Sequence, residues 1–182
     1  IREAFDGIEL AHSFIVDPHK WLFAPFDCCA LIYQDPRLAR EAHQQQGAYL
    51  EVVYDGVWNV SDYAHHLSRR ARGLPLWFSL ATHGTEAYAD AVEQTLAVAK
   101  EAAVRIERQP NLELVAEQNL SICVFRRKGW NPADYANWSD HQLETGQSFV
   151  TPTKHNGETV LRFCIVNPRT TVQHIEEILA SL

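Results

Sequence analysis

The stretch TEAYADAVEQTLAVAKEAAVRIERQ, residues 85–109, constrains the fold more than any other part of the chain. Tyr88, Ala91, Val92, Thr95, Ala99, Ala102 and Ile106 recur at spacings of three and four, which marks one apolar stripe along a helix. Thr85 is placed to cap its start. One stripe on a helix this long needs a sheet or further helices to cover it, and the residues that follow supply both. LELVAE and LSICVFRRK read as a strand pair. NPADYANWSDHQLETG reads as a helix with Pro132 near its start and Gly146 after its end. SFVTPT and TVLRFCIVN read as two strands around the turn KHNGE, and TVQHIEEILASL closes the chain as an amphipathic helix. The order helix, two strands, helix, two strands, helix predicts a small α+β domain over residues 84–182, with helices on one face of an antiparallel sheet.

Residues 1–83 follow another logic. REAFDGIELA reads as the end of a helix and a turn through Gly7. HSFIVD and CCALIY are continuous apolar runs, expected as buried strands. Asp17-Pro18 ends the first, and KWLFAPF follows as an apolar loop. Asp35-Pro36 opens a helix through RLAREAHQQ. Residues 47–62, GAYLEVVYDGVWNVSD, lack a helical period but hold three aromatic residues and two glycines; they read either as a functional loop or as a surface connection whose aromatics merely pack. LSRRARGLPLWFSLATHG reads as a helix interrupted near Gly73-Leu74-Pro75. Two strands cannot close a sheet, so residues 1–83 read as the tail of a larger α/β domain. A first residue of Ile1 and the absence of methionine in 182 residues fit either a piece of a longer product or methionines lost in processing.

Charge and cysteine usage narrow the function classes. The net charge is −7 with no basic run, which argues against nucleic acid or an anionic membrane as partner. No apolar run is long enough for a membrane span, and no secretory signal opens the chain. Cys28, Cys29, Cys123 and Cys164 all lie in apolar, strand-like runs, so buried free thiols in a reducing, cytoplasmic setting are expected. Nine histidines are scattered without ligand spacing, and no metal site is expected.

The lysines are four: Lys20, Lys100, Lys128 and Lys154. The last three lie in a helix or in turns with a route to water. Lys20 stands in SFIVDPHKWLFAPFDCCALIY, among apolar residues. Burial there would lower its pKa and leave a neutral amine, a nucleophile able to form a Schiff base with an aldehyde. The plainer reading is a buried stem with the ammonium in water.

The wider wording bears on that choice. DPHKW followed by LFAPFDCCALIYQDP resembles the cofactor-lysine segment of the group II pyridoxal-phosphate-dependent amino-acid decarboxylases, in wording most like their aromatic L-amino-acid branch. SDYAHHLSRRARGLPLWFSLATHGTEAY resembles that family's segment after its mobile loop. ELVAEQNLSICVFRRKGW and SFVTPTKHNGETVLRFCIVNPRTT resemble its C-terminal domain. The resemblance implies fold type I: the end of the large cofactor domain over residues 1–83, then a small α+β C-terminal domain over 84–182. It implies pyridoxal 5'-phosphate as cofactor, a homodimer with sites at the interface, and decarboxylation of an L-amino acid to its amine.

By the same resemblance, Lys20 matches the Schiff-base lysine and His19 the histidine beside the cofactor. Asp17 matches a polar position near the phosphate. Phe26 matches a residue that reaches the neighbouring subunit's phosphate end. Tyr49 matches the mobile-loop tyrosine that protonates the substrate carbon after carbon dioxide leaves, and a Tyr there favours decarboxylation over aldehyde formation. Ser68 matches a position that varies with the substrate ring, where Ser suits phenolic side chains. Arg162 matches an arginine of the C-terminal domain. The family's aspartate for the pyridine nitrogen, its ring-stacking residue and its main phosphate residues have no counterpart here. Three other readings stay open: an aldehyde synthase, a decarboxylase of a non-aromatic amino acid, and a non-catalytic dimerisation fragment.

Overall fold

The computed structural model describes residues 2–45 and 59–182. The chain separates into two compact units, Ile1–Thr82 and His83–Leu182.

The second unit is built on a four-stranded antiparallel sheet in the order β3-β4-β6-β5. Its strands are β3 (Leu112–Leu114), β4 (Ile122–Arg127), β5 (Pro152–His155) and β6 (Glu158–Cys164). Register places Cys123 opposite Phe163 and Phe125 opposite Leu161. Strand alternation sends all four to one face, and all four are buried. The helical run α2 (Gly73–Arg108) lays Val98, Ala99, Ala102, Ala103 and Ile106 into the same core. Helix α3 (Pro132–Glu144) adds Tyr135 and Trp138, and α4 (Val172–Ala180) adds Ile175 and Leu179. The expected helices on one face of an antiparallel sheet are therefore present. Phe125 and Phe163 meet with ring centroids 4.8 Å apart. Full burial of one such side chain contributes about 1.5–3 kcal/mol.

Local chemistry sets the ends of these elements. Asn131 caps α3 through a reciprocal capping box with Asp134. The β5–β6 turn is Asn156-Gly157, with φ of 49° and 83°. Two left-handed residues in a two-residue loop match the right-handed twist of the flanking strands. Cys123 donates to the Ala99 carbonyl at 3.3 Å, and burial pushes its thiol up to about 11.

The first unit holds β1 (Ser13–Val16) and β2 (Ala30–Tyr33), paired antiparallel with Ser13 opposite Tyr33 and Val16 opposite Ala30. Helix α1 (Pro36–His43) starts at Asp35, whose side chain accepts from the Arg37 amide. Arg40 bonds Asp62 at 3.1 Å and ties α1 to the 3-10 turn Val60–Tyr63.

Four expectations need correction. The two strands are not buried: Phe14, Ile15, Leu31 and Ile32 are exposed on a two-stranded ribbon. Arg2–Phe5 and Ile8–Leu10 are 3-10 turns separated by Gly7 at φ 93°, rather than the end of an α-helix. Gly73-Leu74-Pro75 opens α2 instead of interrupting a helix, because a proline in the first turn removes an N–H that has no intrahelical acceptor. The interruption comes at Gly84, where φ is 79° and ψ 157°. Finally, Cys29 and Cys164 are exposed, whereas Cys28 and Cys123 are buried. Strand-like alternation puts one thiol of the vicinal pair on each side. No helix among the described residues is long and apolar enough to cross a membrane.

Candidate active site

Lys20 sits in a turn that leaves the end of β1. Asp17-Pro18 stops the strand, and the turn closes on itself. The Lys20 amide donates to the Asp17 carbonyl at 2.9 Å, and the Ala24 amide to the Pro18 carbonyl at 3.0 Å. Pro18 is among the most fully buried side chains of the chain and Ala24 is buried too, so the base of the turn is anchored.

The lysine itself is not buried, contrary to the expectation from its apolar neighbours. Its side chain is 66% exposed. Asp17, three residues earlier, returns within the turn and ion-pairs with the Lys20 ammonium. The hydrogen bond that Lys20 donates to Asp17, then the charge of that carboxylate, holds the Lys20 amine above the ordinary lysine value. Lys20 in turn draws the Asp17 carboxyl below its usual range. The physical reason is that a counter-charge supplied by the same turn outweighs the weak desolvation of an exposed amine. Trp21, Leu22 and Phe23 are half-buried.

His19 is held beside the lysine by the approach to β2. The Cys28 amide donates to His19 Nδ1 at 3.2 Å, and Nδ1 also lies against the Cys28 carbonyl. The Phe26 ring meets the imidazole edge-on, with centroids 5.1 Å apart at 81°. Phe26 is otherwise 87% exposed. Nδ1 is thus occupied by the backbone, which leaves Nε2 as the nitrogen not engaged by the Cys28 peptide.

The structure brings Asp17, His19, Lys20 and Phe26 together at one turn. Ser68 lies in the same unit, exposed, in a stretch without helix or strand. Arg162 lies in the second unit, exposed on β6 opposite Val124. Tyr49 lies outside the described residues. Sequence reasoning missed the Arg72–Asp27 ion pair, 3.0 Å long, which ties the stretch after Ser68 to the loop holding Phe26. Arg72 draws the Asp27 carboxyl below its usual range. No local signal announces a pair 45 residues apart. His19's seat on the Cys28 peptide was equally silent, because it is a contact to backbone.

This arrangement can present a primary amine to a small aldehyde, with a carboxylate on the amine and an imidazole beside it. Among the described residues, no group of three or more side chains gathers to hold a metal ion.

The comparisons with known proteins agree with that chemistry. Tyrosine decarboxylase 2 of Arabidopsis thaliana is 32% identical over 185 residues, which cover 97% of this chain and 34% of that protein. The 3,4-dihydroxyphenylacetaldehyde synthase of Aedes aegypti is 30% identical over 162 residues, covering 87% of this chain and 31% of the relative. The chain therefore spans about a third of the length of these curated relatives. The crystal structure of Catharanthus roseus tryptophan decarboxylase with L-tryptophan superimposes with a TM-score of 0.81 at 25% identity, over 99% of this chain and 38% of that one. That of Oryza sativa TDC with PLP and tryptamine reaches 0.86 at 24% identity, over 99% and 40%, a likeness of fold. Fold type I is thus shown for the chain. The family description "Pyridoxal-dependent decarboxylase conserved domain" matches residues 1–128, the lysine turn included, and the chain belongs to the pyridoxal-dependent decarboxylase family.

Proposed function

We propose that this chain is the lysine-bearing part of a pyridoxal-phosphate-dependent decarboxylase that converts an aromatic L-amino acid to its amine and carbon dioxide. The observation that carries the reading is the Lys20 turn: an exposed amine paired with Asp17 and flanked by His19, in a chain of this family. The names of the relatives support an aromatic substrate.

The residues fit the attachment end of the cofactor. Lys20 offers an accessible primary amine, and His19 stands beside it in the chain with Nδ1 on the Cys28 peptide. Pyridoxal phosphate, when bound, supplies the electron sink that lets the bond between Cα and the carboxylate break. The chain's own part is to hold and to move protons. Asp17 would hold the Lys20 ammonium in place where the cofactor's aldehyde carbon would be bound. His19, with Nδ1 fixed on the Cys28 peptide, offers Nε2 to the cofactor or to the substrate carboxylate. We assign Tyr49 the proton that replaces the lost carboxylate at Cα. Ser68 is assigned to the substrate ring and Arg162 to the substrate. Phe26, an apolar ring left in solvent, is assigned to the neighbouring subunit of a homodimer. Residues 1–83 would end the large domain, and 84–182 would form the small one.

The test uses the full-length protein with pyridoxal phosphate. Wild type should show a visible absorption band, and borohydride should fix the cofactor to the peptide that contains Lys20. Lys20→Ala should show neither. An adduct that persists in Lys20→Ala, or none in wild type, would remove the lysine from the chemistry. Supplying aromatic L-amino acids should then yield amine and carbon dioxide; an aldehyde product would move the reading to a synthase.

A further inference from the structure

A second cluster of charge lies within the second unit. A cleft of about 370 Å³ opens between the end of β4, the start of α3 and the β5–β6 hairpin. Arg126, Arg127, Lys128 and Lys154 line it, against the single carboxylate of Glu158. That concentration is unusual in a chain whose net charge is −7.

The partners of these cations show which are spoken for. Arg126 is committed to carboxylates, with Nη1 at 2.8 Å from Glu158 and Nε at 3.4 Å from Glu113. Lys128 and Lys154 have no Asp or Glu carboxylate within ion-pair distance among the described residues. Arg127 donates from Nε to the backbone oxygen of Leu182, the last residue of the sequence, at 2.6 Å and from Nη1 to the Lys128 carbonyl at 2.9 Å. Its guanidinium lies 5.8 Å from the centre of the Trp130 ring. These contacts fix its orientation, and neither hydrogen bond uses Nη2. Lys128 Nζ donates to the Pro110 carbonyl at 3.0 Å, and Lys154 Nζ to the Thr159 hydroxyl at 2.6 Å. Both partners are neutral.

Like charges held at one cleft repel one another. Neutral oxygens orient the two lysines without cancelling that repulsion, which a multivalent anion would relieve. An arginine pre-set by two backbone oxygens and an aromatic ring offers its remaining N–H groups to such an anion with little further loss of freedom. We propose that this cleft binds a small polyphosphate anion, such as the diphosphate portion of a nucleotide.

The experiment titrates inorganic pyrophosphate into the full-length protein saturated with pyridoxal phosphate, by calorimetry at several salt concentrations. Saturable binding that weakens with added salt is expected. Lys128→Gln combined with Lys154→Gln should weaken it about tenfold or more, since each lost charge-assisted contact costs a severalfold factor. Glu158→Gln should do the opposite and tighten binding, because it removes the one lining carboxylate and frees Arg126. A loss of fold cannot tighten binding, so the opposite signs separate the site from damage. No saturable binding by wild type, or affinity unchanged in both variants, would overturn the proposal.

Discussion

The two units use apolar residues in opposite ways. In the second, Ile106, Phe125, Leu161 and Phe163 are buried, and Ile122, Leu143 and Phe149 are among the few large apolar side chains left exposed. In the first, the buried apolar side chains among the described residues are the small ones of Pro18, Ala24, Cys28 and Ala39. The large ones of Phe14, Ile15, Phe26, Leu31, Trp77 and Phe78 face solvent. The second unit can hold itself together. The first keeps its shape through turns, caps and ion pairs, and presents apolar surface of the kind that marks an interface. The candidate catalytic turn lies in the unit with the smaller core.

The sharpest test of this contrast is a pair of truncations. Phe125→Ala should cost the second unit about 3–5 kcal/mol, the usual range for emptying a packed aromatic site. Ile15→Ala in this chain should stay within about 0.5 kcal/mol, as for other exposed positions. Hydrogen exchange resolved by peptide reads each unit separately. A large loss from Ile15→Ala would break the comparison, by showing that β1 is covered in solution.

Caps give a smaller contrast. Asn131→Ala removes a complete capping box from α3 and should lower the stability of the second unit by about 1 kcal/mol. Asp35→Ala removes the cap of α1, an eight-residue helix with one buried side chain, Ala39. Its effect should appear as faster exchange within α1 alone. Equal, global effects of both substitutions would show that the two units unfold together.

Acid should reach the first unit through Asp27. Its carboxyl is held down by Arg72, so the stabilisation is complete above the ordinary carboxylate range. It is lost as pH falls through the lowered value. Exchange protection around residues 23–29 should therefore decline on acidification in wild type, and this pH dependence should vanish in Arg72→Gln. The smallest expected effect concerns Lys20. Asp17 raises its pKa, so Asp17→Asn should shift the pH midpoint of its labelling by a simple aldehyde downward, towards that of an ordinary lysine. An upward or absent shift would remove Asp17 from control of the amine.

The architecture of the second unit was legible because its signals are local and agree with one another. The helical stripe through Ala99, Ala102 and Ile106, proline at the start of α3, and Asn-Gly at the hairpin all specify the same sandwich. Strand positions in the first unit were legible for the same reason, since β1 and β2 follow short apolar runs. Their burial was not, because burial depends on what covers a strand, and apolar composition cannot say whether anything does. Lys20 shows the limit most clearly. The chain's wording singled out the residue and its family. Its state, exposed and paired, follows from a turn that brings Asp17 back onto the amine. The same holds for His19 on the Cys28 peptide and for Arg72 on Asp27: residue types, periods and caps are written along the chain, whereas charge partners are chosen by closure in space. Sequence alone therefore determined most of the elements and singled out one lysine, and only the tertiary structure decided the company that lysine keeps.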